Sequence, residues 1–359
     1  SPPGVTARAE GETTVIENDL LRVVIGSDGT LHAVFDKVAN REALAGRGNQ
    51  LWAYVDKPRV YDAWELEETY EREGEEIGGV ESIEIVEGGP LRAAVRVRRA
   101  YRDSRITQTY RLLTGSRRLD VVTEIDWHER MVLIKARFPL AVHSHEATFE
   151  TMYGVVRRPT HRNTSWDAAR FEVSGHRFAD LSEPGYGVAL LNDGKYGHSA
   201  YRNELTLSLI RGPLYPDLFA DEGHHRFTCS LLPHVGDWVQ AGVVFEAFAL
   251  NSPLVAVPAA GDGTAGPARW GLFETEGLPV ALGSLKPAED GDGLILRIYE
   301  PHGARGTTTL RFAEPVQHVE RVNLLEEPVG ADASPVAVSG SAVQLSLRPF
   351  EVVTLRVRL

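Results

Sequence analysis

Residues 91–127, LRAAVRVRRAYRDSRITQTYRLLTGSRRLDVVTEIDW, decide the fold class. A strand sends successive side chains to opposite faces, so alternation of apolar and polar residues marks a half-buried strand. The stretch reads as a meander of long antiparallel strands. Arg92, Arg96 and Arg98 share one face of its first strand, with Ala93, Val95 and Val97 on the other. A cationic stripe of this kind raises the question of an anionic partner. Glu124, Asp126 and other acids on neighbouring strands favour a solvated, salt-bridged face instead.

The same alternation runs outward in both directions. TTVIEND (13–19), LLRVVIGSDG (20–29) and TLHAVFDK (30–37) read as strands, with Ser27-Asp28-Gly29 as a hairpin turn. VESIEIVE (80–87) and MVLIKARFPL (131–140) continue the pattern. One helix is expected in DWVQAGVVFEAFALNSP (237–253), with Asp237 as N-cap and Trp238, Ala241, Phe245, Phe248 and Ala249 on one face. Then PLVAVPAAGDGTAGPARW (253–270) concentrates Gly, Pro and Ala, which is a linker composition. GLPVALGSLKPA, GLILRIYEP, GTTTLRFAEP, HVERVNLLEEP, AVQLSLRP and FEVVTLRVRL follow as short strands. The expectation is a mainly β chain in two parts: a large antiparallel assembly over 1–258, a linker over 259–268, and a small β-sandwich over 269–359.

Composition narrows the function classes. With 359 residues, 43% hydrophobic and 25% charged, the chain can bury a full core. Its 38 basic and 50 acidic residues leave a net charge of -12, which repels polyanions and argues against nucleic acid. Neutral sugars remain compatible with that charge. No apolar stretch approaches the roughly 20 residues that span a bilayer, so no membrane is expected. The single cysteine, Cys229 in the apolar run FTCSLLP, excludes an internal disulfide framework and a four-thiolate zinc site. It reads as a buried, inert thiol.

Polar, aromatic and charged side chains crowd into RRPTHRNTSWDAARFEV (157–173), GYGVALLNDGKYGHS (185–199) and LSLIRGPLYPDLFADEGHHRF (207–227). Trp166 offers an indole face for a pyranose, and Asn163 and Asp167 offer directional hydrogen bonds to hydroxyls. The plainer alternative is that Trp166 packs under its own loop while Asp167 or Ser165 caps the turn at AARF. Lys195 follows the hairpin signal Asn192-Asp193-Gly194 and reads first as a solvated turn residue. Arg211 ends the apolar strand LTLSLIR and meets Gly212-Pro213, so a stiff turn directs its guanidinium. An ion pair with a purely structural role is its alternative. His143 and His145 in AVHSHEATFE share a face if they lie on a strand, but a zinc site needs a third ligand, and none stands at a telling spacing. The acids of YDAWELEETY (61–70) are numerous, yet a glycosidase pair needs two carboxyls facing one cleft roughly 5–10 Å apart. Sequence alone does not show that.

RPTHRNTSWDAARFEVSGHRFADLSEPGYGVALLNDGKYGH (158–198) resembles the C-terminal region of glycoside hydrolase family 38 α-mannosidases, in their bacterial and vacuolar/cytosolic branch. NDLLRVVIGSDGTLHAVFDKVANREAL, YDAWELEETY, LSLIRGPLYPDLFADEGHHRFTCSLLPHVGDW, ALNSPLVAVP and RPFEVVTLRVRL match that region in the same order, so the resemblance covers nearly the whole chain. It implies a galactose-mutarotase-like supersandwich followed by a smaller β-sandwich. It also implies what residues 1–359 do not match: the α/β barrel that carries the aspartate nucleophile, the acid/base carboxyl and the zinc of the full-length enzyme. No catalytic residue and no metal ligand carries over, and no cofactor is expected in this chain. The implied partners are an N-terminal catalytic barrel of the same polypeptide and mannose-containing glycans, and the implied location is cytoplasmic. The chain opens Ser1-Pro2-Pro3 without methionine, as a cut piece would.

In the family pattern His225 is the matching histidine of the pair 224–225, together with Asp221 and Gly223, with a loop-fixing hydrogen bond as the bland alternative. The loop after Arg211 is implied to reach the active-site rim. The candidates for a substrate-rim or interdomain role are therefore His161, Asn163, Trp166, Asp167, Lys195, Arg211, Asp221 and His225. A domain separated from its barrel is expected to be inactive alone and to expose a seam rich in apolar and aromatic groups, through which it can self-associate. Two other readings compete. One is a free-standing carbohydrate-binding module built around Trp166. The other, resting on fold analogy alone, is an epimerase-like enzyme using a His and a carboxylate.

Overall fold

The meander forms three long strands, Arg92–Tyr101, Ser104–Leu113 and Leu119–Trp127, paired antiparallel with Val97 opposite Gln108 and Gln108 opposite Thr123. In the computed structural model, which describes residues 4–258, 269–330 and 336–359, the chain is mainly β and its sheets are antiparallel. The expected linker at 259–268 lies outside the described residues. Among those residues, contacts divide the chain into two units. One holds the residues up to Glu150 with Val156–Pro253, the other Thr151–Val155 with the residues from Leu254 on.

The arginine stripe is salt-bridged to acids of a neighbouring strand, as expected, though not to Glu124 or Asp126. Arg92 pairs with Glu87 at 2.6 Å and Arg98 with Glu84 at 3.0 Å, both on the neighbouring edge strand Val80–Gly88. Glu124 pairs with Arg226, and Asp126 with His128. The register explains this, since Thr107 stands between Arg98 and Glu124 across three strands. On the opposite face Ala93, Val95, Val97, Ile106, Tyr110, Leu112, Leu119 and Val121 are buried. Arg99 follows them into the core and donates Nη1 to the Asp28 carbonyl at 2.8 Å.

Three sheets make the larger unit. The first is a five-stranded meander, Thr6–Glu10, Thr13–Glu17, Leu21–Ile25, Leu31–Asp36 and Arg41–Glu42. The expected turn at 27–29 is present, with Asp28 Oδ1 accepting from the Thr30 amide at 3.0 Å and Gly29 at φ 70°. The nine-stranded sheet runs in the order Gly154–Pro159, Glu146–Thr151, Phe178–Glu183, Tyr186–Asn192, Gly223–Val235, Leu119–Trp127, Ser104–Leu113, Arg92–Tyr101, Val80–Gly88. The six-stranded sheet runs Val173–Ser174, Gly197–Tyr201, Glu204–Ile210, Val132–Pro139, Gln50–Val55, Gly74–Glu76. Period 2 sends Leu51, Ala53, Ile134, Ala136, Phe138, Leu205, Leu207 and Leu209 of this sheet into the common core. Each such leucine, isoleucine or phenylalanine contributes about 1.5–3 kcal/mol by leaving water.

The helix starts later than expected. Asp237 Oδ1 caps a preceding turn, accepting from the amides of Val239 at 3.0 Å and Gln240 at 2.8 Å. Gly242, left-handed at φ 68°, then resets the chain, and the helix proper is Val243–Asn251. The reset shifts the helical phase. Val243, Val244 and Ala247 are buried while Phe245 is exposed, so of the face counted from Asp237 only Trp238, packed against Phe178, is buried.

The smaller unit places two four-stranded sheets around a core of Leu296, Ile298, Leu310, Phe312, Val343, Leu345, Val353 and Leu355. Its sheets run Phe273–Gly277, Gly306–Phe312, Ala342–Leu347, Ala337–Ser339 and Ala281–Pro287, Leu294–Tyr299, Val352–Arg358, His318–Val322.

Candidate functional site

Arg211 leaves the strand Glu204–Ile210 and is fully engaged. Its Nε and Nη2 grip Asp56 at 2.5 and 2.8 Å, and Nη2 also donates to the Glu65 carbonyl at 2.6 Å. Asp56 is buried beside the strand Gln50–Val55, so the two-pronged ion pair holds a buried carboxylate under a partly exposed guanidinium. A second strap lies beside it, where the buried Asp62 carboxylate accepts from the amides of Leu214 at 2.6 Å and Tyr215 at 3.2 Å. Gly212 sits between them at φ 103°, and a Cβ there would meet the Glu129 carbonyl at 2.4 Å. Only glycine fits this bend.

Asp221, Lys195 and His225 gather on the same side. Asp221 Oδ2 accepts from the Gly212 amide at 3.3 Å, and its carbonyl accepts from His225 Nε2 at 2.7 Å. The histidine thus fixes its own loop. Lys195 is not a solvated turn residue, because its Nζ lies 4.3 Å from the centre of the Phe227 ring. Burial lowers its pKa, and the charges of Asp221 and Asp193 raise it back in part. Asn192 Oδ1 shapes the preceding turn by accepting from the amides of Gly194 and Lys195.

His161, Asn163, Trp166 and Asp167 form a separate group around a short helix, Ser165–Ala168. Thr164, not Asp167 or Ser165, is its N-cap. Asp167 closes the capping box by accepting from the Thr164 amide, while Thr164 Oγ1 accepts from the Asp167 amide at 3.1 Å. Asp167 also pairs with Arg170 at 3.0 Å and lies 3.5 Å from His161 Nδ1. The Thr164 hydroxyl, with the nearby His161 and Arg170, holds its carboxyl below the usual range. Trp166 does not pack under its loop. It is 78% exposed, and Asn163 is exposed as well.

The segment that ties both groups is 56–72. Its first half carries Asp56, Asp62 and Glu65 to the loop after Arg211. Its last turn carries Glu71, which grips Arg162 at 2.8 and 2.9 Å. This segment also presents Val60, Tyr61 and Trp64, and the loop it clasps presents Tyr215, Leu218 and Phe219, all about 60% exposed. Trp64 stands edge-on to both Tyr61 and Tyr215 with centroids 6.4 Å apart. Of the acids of YDAWELEETY, Asp62 is a strap, Glu65 lends its backbone carbonyl and Glu67 pairs with Arg59 at 3.8 Å. The rings between them, unremarked in sequence, form the surface.

The remaining candidates resolve simply. His143 and His145 lie in a loop before the strand Glu146–Thr151, not on a strand, with rings edge-to-face at 5.2 Å. Among the described residues no group of three or more His, Cys, Asp or Glu is placed to share a metal ion. The donors do not fit a catalytic zinc, which takes three protein ligands. Burial pushes the Cys229 thiol up to about 12, leaving it a core residue at neutral pH.

The comparisons with known proteins agree with this architecture. The family model "Glycosyl hydrolases family 38 C-terminal domain" matches residues 16–219, and "Glycosyl hydrolases family 38 C-terminal beta sandwich domain" matches 279–355. The chain belongs to glycosyl hydrolase family 38, in its C-terminal β region. Alpha-mannosidase 2C1 of Homo sapiens is 37% identical over 361 residues, covering 99% of this chain and 34% of its own length. Alpha-mannosidase G of Dictyostelium discoideum is 33% identical over 95% of this chain and 32% of its own. The chain thus spans about a third of the length of these relatives. The crystal structure of an alpha-mannosidase from Enterococcus faecalis shares the fold, with a TM-score of 0.78 at 18% identity, over 98% of this chain and 43% of that one.

Proposed function

We propose that this chain is the C-terminal β region of an α-mannosidase, carrying neither nucleophile nor acid/base pair, and inactive alone. It supports an N-terminal catalytic region of the same polypeptide and lines the rim where a mannose-containing glycan enters. The observation that carries this reading is the ring surface of Tyr61, Trp64 and Tyr215, exposed yet held from beneath by two buried carboxylate straps. Rigid, unpartnered aromatic surface is what a protein interface is built from. Retaining hydrolysis of terminal α-mannosides, with any zinc it needs, belongs to the catalytic region. A cytoplasmic location goes with this reading, since a lone buried thiol suits a reducing compartment.

The test is hydrolysis of a chromogenic α-mannoside by the 359-residue chain, alone and after mixing with the separately expressed preceding region. No turnover alone and turnover on mixing are expected, the latter weakened by Trp64→Ala. Turnover by the isolated chain overturns the proposal.

A further inference from the structure

The outer face of the six-stranded sheet holds a cleft of about 340 Å³, with the Glu71–Arg162 pair among its lining. Register assembles it. Trp52 stands opposite Lys135, Lys135 opposite Ser208, Arg137 opposite Thr206, and Thr206 opposite Ser199. These side chains all point away from the core, because their strand neighbours Leu51, Ala53, Ile134, Ala136, Leu205 and Leu207 point into it. Trp52 and Tyr54, two apart on one strand, lie side by side at 6.0 Å with planes only 21° apart, making one continuous aromatic wall. Tyr70 closes the far side, edge-on to Tyr54 at 5.2 Å.

The floor is a buried cation. Lys135, 1% exposed, donates Nζ to the Tyr70 hydroxyl at 2.9 Å and to the Glu172 carboxylate. Two further pairs form the rim, Arg137 with Glu204 at 3.0 and 3.1 Å and Arg162 with Glu71 at 2.8 and 2.9 Å. Each is two-pronged, so three cations meet three carboxylates and the cleft carries no net charge. Burial, then the neighbouring Glu172, pushes the Tyr70 hydroxyl above its usual range, so it keeps its proton. Because it accepts from Lys135, that proton is free to be donated.

We propose that this cleft binds a neutral, hydroxyl-rich ring compound of about the size of one hexopyranose. An anion would meet Glu71, Glu172 and Glu204 with every opposing cation already engaged. An apolar ligand would lie against three ion pairs and the Tyr70 hydroxyl and offer none of them a hydrogen bond. A pyranose offers an apolar ring face to the part of Trp52 that the Arg137 guanidinium, 4.7 Å over the indole, leaves open, and hydroxyls to the paired charges. The volume is at the small end of ligand clefts, roughly 300–1,000 Å³, which suits one ring and its waters. The inference goes beyond the mannosidase reading and does not depend on it, since a cleft of this chemistry is not restricted to mannose.

The test is saturation-transfer NMR and calorimetry on the 359-residue chain with D-mannose, D-glucose and D-galactose, and with D-glucuronate and inorganic phosphate as anionic arms. At least one neutral hexose is expected to saturate with a Kd on the order of 1 mM, about what so small a ligand can reach. The anions should bind about tenfold more weakly or not at all, the loss of about 1.4 kcal/mol. Trp52→Ala should weaken hexose binding about tenfold while Trp166→Ala leaves it unchanged. Tyr201→Ala, at the rim beside Arg162, serves the same purpose should Trp52→Ala fail to fold. No saturation by any neutral hexose at about 100 mM, tighter binding of an anion, or wild-type binding by the Trp52 and Tyr201 variants would each overturn the proposal.

Discussion

Tyr61, Trp64 and Tyr215 project from loops into solvent, whereas Tyr54 and Tyr70 of the sheet cleft are 7% and 5% exposed. Both ring clusters rest on charged pairs, but the pairs are arranged differently. Under the loop surface the Arg211–Asp56 pair and the Asp62 carboxylate are spent on backbone and on each other. In the cleft the pairs line the opening themselves, beside the rings. The first arrangement presents apolar area on a stiff base, which suits a protein partner. The second mixes ring faces with hydrogen-bonding edges, which suits a small polar ligand. The lesson is that exposure of the rings and orientation of the ion pairs, not the number of aromatics, separates the two kinds of surface.

The comparison breaks most readily at Arg211. Arg211→Met leaves Asp56 buried without its partner, and a change of this kind destabilises by about 3–5 kcal/mol. Chemical denaturation of the variant should show that loss. An effect below about 1 kcal/mol, the usual size for an exposed pair, would mean that the strap is solvated and the rings are not on a rigid base.

A smaller effect comes from beneath the cleft. His198 lies on the core side of the strand whose outer side supplies Ser199 and Tyr201. Burial first, then the charges of Lys135 and Arg158, holds its imidazole down to about 3. Below the ordinary histidine value the unfolded chain binds a proton that the folded chain refuses, so stability falls as pH drops from about 6.5 toward 3. Between pH 7 and 5 this amounts to about 2 kcal/mol. His198→Leu should flatten the pH dependence of urea unfolding by that amount. Identical pH dependence in the variant would show that water reaches the ring from the cleft.

The capped turn near Trp166 is more local still. Thr164→Ala removes one half of the capping box and should cost about 1 kcal/mol or less, read from the thermal midpoint. A much larger loss would make this turn part of the rigid base that supports the exposed rings. Smallest of all, Trp64→Ala should shift the stability of the isolated chain by no more than about 0.5 kcal/mol, because an exposed ring has little to lose. A large loss there would show that the ring packs against its own unit and is not waiting for a partner.

Much of the strand content was legible because alternation is a local signal. The meander at 91–127 and the turn at Asp28 followed from neighbours in sequence. The helix at 243–251 was displaced because Gly242 adopts a left-handed conformation that the residue type permits without announcing. The cleft was illegible for a different reason. Lys135 in MVLIKARFPL reads as any solvated strand lysine, and only register puts it opposite Trp52 and under Tyr70 and Glu172. Asp56 and Arg211 meet across more than 150 positions, so spacing gives no hint of the strap. The crowded patches drew attention to Arg211, Asp221 and His225, which do shape the loop surface. Tyr215 and Phe219 stood in a crowded patch, but Tyr61 and Trp64 sat unmarked among the acids of YDAWELEETY.

Hydrogen exchange tests the central claim most directly, comparing the 359-residue chain alone with the same chain joined to the catalytic region proposed to precede it. If the ring surface is the docking face, amides in 57–66 and 212–222 should slow markedly in the longer protein. Equal exchange in both loops, with protection appearing on some other face of the larger unit, would contradict the account.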